Sequence, residues 1–145
     1  MRPSRSNVRE TPDDPVELRA GSPPIPGNAE IGDELFELAP EAVAVLSTDD
    51  RIVRVNKEFT RMFGYEPDEV LQRPINDLIV PEAQIGGSRA YARLLKQGGR
   101  VEVETVRRRK DGTEIDVSLL AISVRTIAGK HVLNYAIYRL SLIHI

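Results

Sequence analysis

The sequence predicts an α+β fold built on one five-stranded antiparallel sheet, and three observations carry that prediction. Two short apolar runs come first, several short helical stretches follow, and three longer alternating segments close the chain. Lys110-Asp111-Gly112-Thr113 and Ala128-Gly129-Lys130 are turn signals between those last segments. Pro40, Gly64, Pro67, Pro74 and Gly98-Gly99 punctuate the helical part, each ending or opening a short helix. At 145 residues there is room for one ordinary domain.

Residues 1–30 read as a disordered, Pro-rich leader, with Pro3, Pro12, Pro15, Pro23, Pro24 and Pro26 and few large apolar side chains to offset ordering entropy. The folded domain spans 31–139. Ile31, Leu35, Phe36 and Leu38 follow helical spacing until Pro40. Ala42–Leu46 and Ile52–Val55 form a hairpin around the polar turn Ser47–Arg51. Asn56 stands as the N-cap of Lys57–Phe63, which puts Phe59, Met62 and Phe63 on one face, and Gly64 stops the helix. Pro67 and Pro74 open two more short helices. Ser88–Gln97 is the long helix, burying Tyr91, Leu94 and Leu95. Val101, Val103 and Thr105 alternate with Glu102 and Glu104, and Ile115, Val117, Leu119 and Ala121 with Glu114, Asp116 and Ser118. His131–Tyr138 is the last strand.

Composition excludes several chemistries. There is no cysteine, hence no disulfide, no thiol nucleophile and no Cys-based zinc site, which suits a reducing, cytoplasmic setting. The two histidines, His131 and His144, lie in no metal or nucleophile pattern, and Glu102, Glu104, Glu114 and Asp116 read as a solvated sheet face. We therefore expect no enzyme, no catalytic residue and no metal. The basic run Arg107-Arg108-Arg109-Lys110 reads as a hairpin tip kept soluble by charge, so no nucleic-acid partner is expected. No apolar run reaches the ~20 residues of a membrane span, and no membrane contact is expected.

Taken together and in order, Ala42–Met62 with Asp50-Arg51-Ile52-Val53-Arg54-Val55-Asn56, the helix end Phe63-Gly64-Tyr65, the hairpin Arg108–Thr113 and the closing Ala136-Ile137-Tyr138-Arg139 resemble the PAS (S-box) sensor family. The resemblance covers about Glu34 to Arg139 and departs from the family at Asp50, where Gly is common. It implies short helices on one sheet face and a pocket between them. The family's inward register gives Ala44, Leu46, Phe59, Met62, Tyr91, Leu95, Ile115, Val117, Leu119, Asn134 and Tyr138 as pocket candidates. Asn56, Gly64, Asp111 and Gly112 carry structural motifs. The resemblance implies no flavin, since the adduct-forming Cys and the Trp of flavin branches are missing. It implies no haem, because the iron-binding His of that branch, counted back from Tyr91, falls on Ser88. An unknown small molecule, or an empty packed core, is left.

The function so implied is a sensory module that binds a small ligand or partner and signals to a missing C-terminal effector, such as a histidine kinase or a diguanylate cyclase. A ligand-free dimerisation module and a small enzyme of unrelated α+β fold are the alternatives. A homodimer is expected from the sheet itself. Leu120 and Ile122, with Val124, Leu133, Tyr135 and Ile137, make its second face apolar, and the helix carrying Ile31, Leu35, Phe36 and Leu38 is too short to cover it. The last six residues, Leu140–Ile145, break the family pattern and resemble a translated sequencing adapter.

Overall fold

The computed structural model describes residues 28–142. The leader before Asn28 and the stretch Ile143-His144-Ile145 lie outside the described residues. The chain divides into two units, Met1–Ile31 and Gly32–Ile145. The first is described only in its last four residues, which open a helix, and the second holds every strand.

The elements are α1 (Asn28–Leu38), β1 (Ala42–Leu46), β2 (Ile52–Val55), α2 (Lys57–Phe63), α3 (Pro67–Val70), α4 (Ile75–Ile79), α5 (Ile85–Lys96), β3 (Arg100–Arg108), β4 (Glu114–Arg125) and β5 (His131–Leu140). The five strands form one antiparallel sheet in the order β2-β1-β5-β4-β3. One face carries Ala42, Ala44 and Leu46 of β1, Ala136 and Tyr138 of β5, Leu119 and Ala121 of β4 and Val101 of β3, all buried in the core with the short helices. Alternation along each strand sends the neighbouring side chains to the other face.

Asn56 fixes the first corner. Its Oδ1 accepts from the amides of Phe59 (3.0 Å) and Val43 (2.9 Å), and its Nδ2 donates to the carbonyls of Phe36 and Glu41, both at 3.0 Å. One fully buried side chain thereby caps α2 and ties it to β1 and the end of α1. Gly64 then ends α2 in the left-handed region at φ 85°, and its N–H donates to the Thr60 carbonyl. The Phe59 and Phe63 rings pack tilted with centroids 4.8 Å apart, and Phe63 meets the Tyr138 ring edge-on at 5.3 Å.

Four local expectations are corrected. The long helix starts at Ile85 rather than Ser88, because a 3-10 turn at Glu82–Gln84 leads straight into it and Gly86-Gly87 continue it. Leu94 is 47% exposed. The stripe facing inward is Ser88, Tyr91, Ala92 and Leu95, and Leu94 lies off it. The last strand runs on to Leu140, paired with Val117, and Ser141 N–H still donates to the Asp116 carbonyl. Arg107, finally, is not part of a solvated tip but only 2% exposed. It has the same parity as Val101, Val103 and Thr105, so the strand turns it inward.

Candidate ligand cavity

Between α5, α4 and the inner sheet face lies a cavity of about 40 Å³. Small side chains create it: Ala92 on α5, Ala121 on β4 and Ala136 on β5 leave room that larger residues would fill. Of the pocket candidates, Leu46, Tyr91, Leu95, Leu119 and Tyr138 line it. Ala44, Phe59 and Val117 are buried beside it as ordinary core, and Met62 and Ile115 pack against that core half-buried. Asn134 is buried too, but its Oδ1 is 2.6 Å from His131 Nε2 and it does not line the cavity.

Sequence reasoning missed Asp50, Ile75, Val80, Ser88, Ala92, Arg107, Ala121 and Ala136 as lining residues. The three charged or phenolic members define the electrostatics. Burial pushes the Tyr138 phenol up from its ordinary range, and the Arg107 guanidinium beside it opposes that rise. The Asp50 carboxyl is also held up, first by burial and then by neighbouring Asp49, against the pull of Lys96 and His131. Asp50 adopts φ 65°, the left-handed turn conformation that Asp tolerates, so Asp fills the Gly-favouring position without breaking the hairpin. Ser88 Oγ donates to Asn76 Oδ1 at 2.7 Å.

The structural-motif residues do local work. Asp111 Oδ1 accepts from the Thr113 amide at 2.9 Å and from its hydroxyl, while Gly112 supplies the φ of 92° that closes the β3–β4 turn. Lys110 N–H donates to the Phe63 carbonyl and fastens that turn to the end of α2.

On the opposite sheet face, Leu120 and Ile122 are half-buried, and a shallow groove bordered by Glu102, Glu104, Leu120, Ile137 and Arg139 crosses it. In α1, Ile31 (39%), Leu35 (68%) and Leu38 (62%) are exposed. Phe36 is half-buried beneath the Arg54 guanidinium, 4.2 Å from its ring centre. Arg54 also pairs with Asp33 and Glu37.

A family model described as a PAS domain matches residues 40–138. No curated protein sequence matches the chain. Among solved structures, the chain is similar to the PAS domain of an HTR-like protein from Haloarcula marismortui, at 24% identity over 78% of this chain and 91% of that one, with a TM-score of 0.65. It is also similar to a domain of a sensory box sensor histidine kinase/response regulator from Geobacter sulfurreducens (20% identity, 74% of this chain, 91% of that one, TM-score 0.62). The LOV domain of a blue-light-activated histidine kinase from Erythrobacter litoralis compares at 21% identity, over 70% of this chain and 95% of that one, with a TM-score of 0.62. At these identities the likeness establishes the five-stranded fold.

Proposed function

The chain belongs to the PAS domain family, and from that premise we propose that it is a sensory signalling module whose cavity takes up a small ligand and whose state is read by an effector such as a histidine kinase or a diguanylate cyclase. The observation that carries this reading is the lining of the cavity. A core that served packing alone would gain nothing from a void edged by a guanidinium, a phenol and a carboxyl group, since each costs desolvation when buried. We assign no catalytic step to the domain, in keeping with its membership of a family of sensory modules. The proposal includes no flavin and no haem, since the chain has no Cys and no Trp and Ser88 is bonded to Asn76. Among the described residues no helix is long and apolar enough to cross a membrane.

A second reading, a dimerisation module without a ligand, is favoured by the exposed Leu35 and Leu38 on α1 and by the apolar outer sheet face with Leu120 and Ile122. A symmetric pairing of those surfaces would cover both. Native mass spectrometry of the gently purified chain separates the two. A copurified small molecule, with an absorption spectrum free of Soret and flavin bands, supports the sensor. A ligand-free dimer that becomes monomeric in Leu35→Glu supports the second reading and defeats the first.

A further inference from the structure

Arg107 is buried without the partner its charge needs. It is 2% exposed, its Nη1 donates to the Val106 carbonyl at 2.9 Å and to Thr105 Oγ1 at 3.4 Å, and its Nε has no hydrogen-bond partner. Among the described residues no carboxylate forms an ion pair with it. A buried guanidinium left in this state bears a desolvation cost that its hydrogen bonds do not fully offset, and an apolar side chain at this core position would avoid it. The guanidinium borders the cavity, with the Tyr138 phenol against it.

We propose that the cavity takes a short-chain carboxylate, one oxygen accepting from Arg107 Nε and the other from the Tyr138 hydroxyl. The inference rests on the ligand-binding reading above and names its chemical class. A carboxylate supplies both what the guanidinium lacks, a negative charge and a planar acceptor, in the geometry arginine binds best. The remaining wall is apolar, with Val80, Leu95, Ala121 and Ala136, which suits a short alkyl tail and gives a bare inorganic anion nothing to replace its hydration. A volume of about 40 Å³ limits the ligand to a few heavy atoms. Asp50 is the other charged group on the wall. Its repulsion of an anion is a cost that the Arg107 and Tyr138 donors must outweigh.

The test is a titration of the whole 145-residue chain with sodium formate, acetate and propionate, with sodium chloride at equal ionic strength and with neutral acetamide. The readouts are the arginine Nε–H resonances and the melting temperature. We expect one Nε–H resonance, absent in Arg107→Met, to move saturably with the carboxylates. Affinity should fall about tenfold or more in Arg107→Met, as loss of a charge-assisted hydrogen bond implies, and by a smaller factor in Tyr138→Phe. Should Arg107→Met fold poorly, Tyr138→Phe carries the comparison alone. An equal response to acetamide or chloride overturns the carboxylate assignment while leaving a ligand-binding cavity in place. No response to any carboxylate overturns it as well, with water as the partner of Nε, and the copurified mass then decides the sensor reading separately.

Discussion

Two polar side chains are buried at opposite edges of the same sheet, one following β2 and the other on β3, and they are treated in opposite ways. Asn56 has every hydrogen-bonding site used: two amides donate to its oxygen and two carbonyls accept from its nitrogen. Arg107 carries a full charge and borders a small cavity, yet its Nε has no hydrogen-bond partner among the described residues. The difference separates architecture from recognition. A saturated buried amide can only hold the chain as it is, and its bonds reach backbone from α1 to α2. An unsaturated buried cation is costly as it stands and is relieved by something the fold does not itself provide.

The sharpest way to break this comparison is to remove Asn56. Asn56→Ala removes the side-chain acceptor of the Val43 and Phe59 amides and the donor to the Phe36 and Glu41 carbonyls, while the Phe59 amide keeps its 3.1 Å bond to the backbone carbonyl of residue 56. We expect a loss of about 3 kcal/mol, from a lost cap plus buried groups left unpaired. Urea unfolding followed by circular dichroism measures it. A loss below about 1 kcal/mol would mean that water replaces the amide and that Asn56 is no keystone.

Arg107 should respond with the opposite sign. With no ligand added, Arg107→Met removes an uncompensated charge and keeps most of the apolar stem, so the domain should become more stable by about 1 kcal/mol. A destabilisation of similar size would show that the bonds to Val106 and Thr105 outweigh the desolvation, and would move Arg107 to the structural side of the comparison. The same urea experiment in saturating acetate should shrink the advantage of the variant, because only the native side chain gains from the anion.

How much of this contrast was legible in the sequence differs between the two sites. Asn56 was readable because a lone Asn between an alternating run and a helical one has few other uses, and the cap is a local event. Its bonds to Phe36 and Glu41 were not, since they depend on where the chain before β1 passes. Arg107 carried a usable signal, the parity it shares with Val101, Val103 and Thr105, but four consecutive basic residues masked it as a charged tip. The cavity was the least legible feature. It is defined by alanines on three separate elements, Ala92, Ala121 and Ala136, and which small residues end up facing each other depends on strand register and helix docking. Phe59 and Leu119 followed simple periodicity, Tyr138 followed the inward register that the resemblance implies, and all three lie in the core. Asn134 shares their inward parity, yet it bonds His131 and does not line the void.

Asp50 offers the smallest and most selective test, because it probes whether the cavity tolerates charge at its other end. Its folded carboxyl titrates above its unfolded value, with burial as the main cause. Folding therefore favours the protonated form, so whatever stability the group contributes is complete below the unfolded pKa and is lost as pH rises through the raised folded pKa. At neutral pH the ionised carboxylate is a net cost. Asn keeps the shape and is also at home in the left-handed conformation that Asp50 adopts at φ 65°. Asp50→Asn should thus stabilise the domain at pH 7, by about 0.5 kcal/mol once solvent screening of this half-buried group is allowed for. The gain should fade as pH drops below about 4, where both states of the wild type hold the proton. Unfolding midpoints of the two proteins across pH 3.5 to 7.5, a range chosen to bracket roughly the carboxylate titration, test the sign directly. A gain that stays constant with pH would trace the effect to turn geometry alone. A loss at neutral pH would show that the carboxylate is anchored by Lys96 and His131 and belongs, like Asn56, to the framework.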